Sequence, residues 1–301
     1  LRAMAKPIPT YPPPVDQLLT LGDPAANSKF GWKDAPLLDY SALGLTPSHA
    51  PDLIRLARDP VVNISDEPSC YAPVHAFRAL AALGVVHAIP ELVALIRRMD
   101  RQNDSCWLED CPGVLALFGE AAIDPVARAL RDQREPFGAR LFLTDALLAI
   151  ATNHPPARPR VVAVLSGILA YARYNDPGIN GHIISALIDL SATESLPAIA
   201  EAYNNDYVDE MCCGPIEEVE AEIRLTADER NAQREARFAG APDAHRACRY
   251  HRRMIVTTST VRYTLRFTAG GTTRSVIFLV SVAGPASTFQ RLVYPPVGLS
   301  K

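Results

Sequence analysis

The stretch that decides the fold is ALAALGVVHAIPEL, residues 79–92. It reads as an apolar helical stripe, a break at Gly84, and a second helix opened by Ala88, Ile89 and Pro90. The pattern returns as VLALFGEAAIDPV at 114–126 and as ALIDLSATESLPAI at 186–199. In all three a proline stands seven residues beyond the last apolar residue of the first helix: Leu83 to Pro90, Phe118 to Pro125, Leu190 to Pro197. These prolines are 35 and 72 residues apart, and 72 is two periods of 36, so a further copy belongs between them. Residues 142–152 and 159–171 supply its two helices, joined more loosely through Asn153, His154, Pro155 and Pro156.

Proline is tolerated in the first turn of a helix, where its missing N–H has no intrahelical partner. A glycine or small residue just before it ends the preceding helix. Each unit is therefore a short helical hairpin with apolar residues on both helices, and neighbouring hairpins must stack to bury them. A weaker unit precedes, with 37–43 and 51–57 as its helices. The expected architecture is all-α, an α-solenoid of about four to five hairpins spanning 37–229.

The unit HAFRALAALG…AIPELVALI, which begins at His75, resembles the HEAT-like repeats, in particular the short bacterial repeats named after phycobilisome lyases. The resemblance covers residues 37–204. It implies a scaffold used for binding, in the cytoplasm of a bacterium. A minority of such proteins attach bilins or act on nucleic acids, so a lyase-like activity on a bilin or similar prosthetic group stands as an alternative. Repeats transfer a scaffold more safely than a reaction.

The chain has 301 residues, 48% of them hydrophobic, and a mean hydropathy of +0.03, which describes a globular protein. A net charge of −3 gives no global sign of a nucleic-acid or anionic-membrane binder, and no apolar run reaches the ~18–20 residues of a membrane helix. Six irregularly spaced cysteines fit a reducing interior. Pro7, Pro9, Pro12, Pro13 and Pro14 mark residues 1–36 as an extended, poorly packed arm without the apolar core of a signal peptide.

Residues 230–301 carry twelve Lys/Arg and only Glu235 and Asp243 as acids, a net +10 against −13 for the rest. Val261, Tyr263, Leu265 and Phe267 alternate with Arg262, Thr264 and Arg266, and 275–282 reads as a return strand after a turn at 269–272. Two readings stay open for this appendage: a β-hairpin that docks or stays loose, and a non-native tail of the kind a shifted reading frame produces. Its arginines make nucleic-acid binding through 230–301 the second alternative, with salt-sensitive affinity.

For chemistry the sequence offers little. His245, Cys248 and His251 lie among Arg246, Arg249, Arg252 and Arg253, which repel a cation, and no C-x2-C accompanies them, so neither metal nor other cofactor is expected. There is no G-x-S-x-G, P-loop or G-x-G-x-x-G motif, and no catalytic residue is assigned. Counting eight residues back from the end of each first helix places His75 and His182 in a row along one edge. The connections between hairpins carry Asp66, Glu67 and Tyr71; Trp107 and Asp110; Tyr174 and Asp176; and Asp206, Tyr207, Asp209 and Glu210. Stacked hairpins bring these connections to one edge, which reads either as a docking ridge for a basic protein or peptide or as helix-capping acids with half-buried aromatic struts. On the ridge reading, Trp107→Ala with Asp110→Ala weakens capture of the partner without unfolding the repeats.

Overall fold

The structure, a computed structural model, describes residues 7–28, 35–66, 68–102, 104–238, 259–269 and 272–282. Its helices are α1 (Ala50–Ala57), α2 (Pro60–Asn63), α3 (Ala72–Ala82), α4 (Ile89–Gln102), α5 (Ser105–Ala116), α6 (Ile123–Arg131) and α7 (Phe137–Asn153). They continue as α8 (Arg158–Leu169), α9 (Pro177–Asp189), α10 (Leu196–Asn204), α11 (Glu210–Cys213), α12 (Ile216–Glu222) and α13 (Ala227–Phe238). A separate unit holds β1 (Ser259–Ala269), which pairs antiparallel with β2 (Thr272–Val282), Arg262 opposite Leu279.

The local rules read from the repeats set the hairpins. Pro90 and Pro197 occupy the second positions of α4 and α10, and Pro125 the third of α6. The first helix of each pair ends on a left-handed residue at the equivalent place: Gly84 at φ 65°, Gly119 at 58° and Ser191 at 49°. At Gly84 the Val85 N–H bonds the Leu80 carbonyl at 3.0 Å while Gly84 N–H bonds Ala81 at 3.0 Å, and Ala192 and Ser191 repeat the pair on Leu187 and Ile188. This is the Schellman closure of a helix. Serine stands at the third site because its hydroxyl is used, donating to the Leu225 carbonyl at 2.9 Å.

The helices pack in two series. In one, α1 lies on α3, α3 on α5, α5 on α7, α7 on α9 and α9 on α11. In the other, α4 lies on α6, α6 on α8, α8 on α10 and α10 on α12. Leu80, Ile89, Leu115, Ile123, Leu147, Leu165, Leu187 and Ile199 run as a continuous core between them. Side-chain N–H donors close helix C-termini where carbonyls lack intrahelical donors. Arg140 Nε donates to the Leu130 carbonyl at 3.0 Å, Arg158 Nε to Leu190 at 2.9 Å, and His154 Nε2 to Ala116 at 2.8 Å. Arg230, buried on α13, donates to the Asp189 carbonyl and to Ser191 Oγ, each at 2.9 Å.

Three expectations are corrected. Residues 7–28 are not a loose arm: Val15 and Leu18 are 0% exposed, and the Tyr11 hydroxyl donates to Asp59 at 2.6 Å. Apolar side chains between the prolines give the segment something to bury, and a 3-10 turn, Val15–Thr20, presents them. Residues 37–43 are not helical. The Asp39 carboxylate accepts from the Ser41 and Ala42 amides and diverts the backbone into turns, which deliver Tyr40 and Leu45 to the core. The boundary expected at 229/230 falls inside α13, which Arg230 anchors to the end of α9. No described helix is long and apolar enough to cross a membrane.

Candidate functional site

The connections before α9 and α11 meet at one point. Asp176 caps α9, accepting from the Gly178 amide at 2.8 Å, and Asp209 caps α11, accepting from Met211 at 3.0 Å. Their backbones are joined by Asp209 N–H on the Pro177 carbonyl at 3.0 Å. Asn180, fully buried, donates through one amide nitrogen to the Ala172 carbonyl at 2.9 Å and to the Tyr207 carbonyl at 2.7 Å. A single interior side chain thus holds both connections. Above it Tyr174 is 59% exposed and Tyr171 65%, while the Arg173 guanidinium lies 4.4 Å from the centre of the Tyr174 ring.

A cleft of about 270 Å³ opens here between Tyr171, Arg173, Glu201 and Tyr207, over Leu169 and Ala202. Glu201, which lines it, is exposed, and Asp206, Asp209 and Glu210 are exposed in the segment that leads from Tyr207 into α11, with Met211 86% exposed. The structure therefore brings together Tyr174, Asp176, Asp206, Tyr207, Asp209 and Glu210. Tyr171 and Glu201 are additions. The signal that would have found this end is charge: residues 174–223 hold eleven Asp/Glu and no Lys or Arg. Tyr171 was absorbed into the helix read at 159–171, but α8 stops at Leu169 and leaves it in the connection.

The other expected residues lie elsewhere. Tyr71 is half-buried and packed on the core, Asp66 is exposed in the connection before α3, and Glu67 lies outside the described residues. Trp107 and Asp110 are not surface residues. Asp104 caps a helix that begins five residues before Asp110, and this turns both side chains inward. The Trp107 ring is 2% exposed and sits 5.0 Å from that of Phe77, and Asp110 binds Arg78 with oxygens at 2.6 and 2.8 Å.

His75 and His182 form no accessible row either. The Gly22 carbonyl, 2.9 Å from His75 Nε2, can only accept, so Nε2 carries the proton and Nδ1 accepts from the Tyr40 hydroxyl at 2.9 Å. Burial, with the charge of Arg78, pushes this ring below the ordinary histidine range against the pull of Gly22. His182 bridges α9 to α7, with Nε2 2.8 Å from Asp145. Burial disfavours its charged form, but the Asp145 carboxylate and the Leu141 carbonyl outweigh that and raise it above the ordinary range.

The two histidines therefore tilt stability in opposite senses. The His182 contribution is complete below the unfolded value of about 6.5 and is lost as pH rises through its folded value. The His75 contribution is complete above about 6.5 and is lost as pH falls toward its lowered folded value. Urea midpoints measured across this range should fall on the alkaline side in the parent and stay flatter in His182→Gln. Parallel profiles would contradict the assignment of charge to His182.

Among the described residues no group of three or more His, Cys, Asp or Glu is placed to hold a metal ion. His245, Cys248 and His251 lie outside them. Burial raises the Cys111 thiol well above its ordinary range, and burial next to Asp209 pushes Cys212 up to about 12, the reverse of what a nucleophilic thiolate needs. What the arrangement offers is recognition: exposed phenol rings on a rigid base, ringed by carboxylates. Comparisons with family models, curated proteins and solved structures returned no match to this chain.

Proposed function

We propose that the chain is a HEAT-like α-solenoid whose acidic, aromatic edge binds a basic protein or peptide without catalysing a reaction on it. The edge is narrower than the full row of connections: it centres on Tyr171, Tyr174 and Tyr207, with Asp176, Asp209 and Glu210 steering the partner. The observation that carries the reading is that the exposed Tyr174 opens a fifty-residue stretch free of Lys and Arg, with the exposed Tyr171 just before it. Aromatic anchors ringed by charge suit contact energetics, and a single-sign field speeds encounter and rejects partners of like charge. A bacterial cytoplasmic setting belongs to the same proposal, supported by Cys111 and Cys212 standing as thiols.

Selection from a random displayed-peptide library on the full chain, counter-selected against Asp176→Lys/Asp209→Lys/Glu210→Lys, tests it. Enriched sequences should be basic and lose at least about tenfold in affinity on the reversed surface. Enrichment of neutral or acidic peptides, or equal binding to both proteins, would refute the edge.

A further inference from the structure

The cleft between Tyr171 and Tyr207 has a size and lining that specify more than a basic partner. Resting on the edge reading above, the geometry points to a pocket for one arginine side chain of that partner, its guanidinium against the tyrosine rings and paired with Glu201.

Three observations carry this. About 270 Å³ is below the ~300–1,000 Å³ of pockets that enclose whole small molecules, and suits a single long side chain. The lining residues include two tyrosines and a glutamate, and a planar guanidinium suits both residue types, because it stacks on aromatic faces and donates to carboxylates in a fork. The chain already makes such contacts itself: Arg173 lies 4.4 Å from the Tyr174 ring and Arg55 4.0 Å from that of Tyr11. Arg173, the one Lys or Arg lining the cleft among the described residues, is engaged in this way on Tyr174, and the acids from Asp176 to Glu222 set the surrounding field.

The backbone on two sides of the pocket is preformed. Tyr207 packs partly on the core, and its carbonyl and that of Ala172 are bonded by the two Asn180 amide hydrogens, so these two segments are held together before a ligand arrives. Backbone already held leaves less ordering to be done on binding. Asn180 is accordingly a positioning residue for the cleft.

Calorimetric titration of the full chain at low salt with tetra-arginine amide, tetra-lysine amide and tetra-citrulline amide tests the assignment. Tetra-arginine should bind, tetra-citrulline should not, and tetra-lysine should bind more weakly. Tyr171→Ala and Glu201→Gln, both at exposed positions and checked for folding by circular dichroism, should each weaken tetra-arginine by about tenfold. Parent-like affinity in both variants, with loss in Asp209→Asn/Glu210→Gln, would overturn the pocket and leave the edge standing. Equal affinity for tetra-lysine would overturn the choice of guanidinium. No heat with tetra-arginine would overturn the pocket outright, and the peptide selection would judge the edge separately.

Discussion

Asp110→Ala will lower the free energy of unfolding by about 3–5 kcal/mol, the usual effect of removing one partner from a buried ion pair. The side chains of Arg78 and Asp110 are 2% and 6% exposed, and the guanidinium meets the carboxylate through Nε at 2.8 Å and Nη2 at 2.6 Å. Burial alone would make the guanidinium a weaker base, but the Asp110 carboxylate reverses that and holds it protonated. Without Asp110 the charge stays in the interior and loses its two-point carboxylate contact, while the carbonyls of Pro36 at 3.0 Å and Ala35 at 3.4 Å remain in place. The segment before α1 is tied to the repeats through these same bonds, so it loosens as well. Arg78→Met with Asp110→Leu should cost less than Asp110→Ala, because neither charge then remains to be desolvated. Urea unfolding of the variants gives the answer, and a loss below about 1 kcal/mol for Asp110→Ala would mean the pair is far better solvated than its burial implies.

Trp107→Ala should cost about 3–5 kcal/mol, the range for truncating a large aromatic in a packed core. The ring fills the space between α3 and α5 beside Phe77, and α4 packs against the same helix. Trp107→Phe separates volume from polarity. The indole N–H meets no acceptor among the described residues, so phenylalanine removes an unpaired donor along with some volume and should cost much less. Comparable losses for the two variants would point to the indole nitrogen rather than packing. A domain's total stability is only about 5–15 kcal/mol, so the double variant Trp107→Ala/Asp110→Ala is expected to be largely unfolded. It therefore reports on the core, not on partner capture, contrary to the expectation drawn from the connections alone.

That reversal marks where the sequence was legible. The turns at Gly84 and Gly119, with Pro90, Pro125 and Pro197 beyond them, obey local backbone rules, and such rules need no knowledge of the rest of the chain. Trp107 and Asp110 read as part of a connection between hairpins. Yet Asp104 is a helix cap, and Trp107, Leu108, Cys111 and Leu115 follow at helical spacing, with Pro112 tolerated inside α5. The signal was present, and charge density hid it. Tyr40 and Val15 had no such signal, because their burial depends on where turns carry them across the repeats. Tyr174 and Tyr207 were legible as members of one edge, but the tie between their connections was not, since it depends on the buried Asn180 in the first turn of α9.

The guanidinium of Arg230 sets a practical limit on how the chain can be divided. It occupies the carbonyl end of α9 together with Arg158, so a cut just before it does more than remove a basic extension. Such a cut uncovers the Asp189 and Ser191 groups that the α13 cation had covered, at the end of α9 opposite Asp176. Any comparison of body against appendage should divide the chain after Phe238, where α13 ends, so that the two pieces differ in the appendage alone.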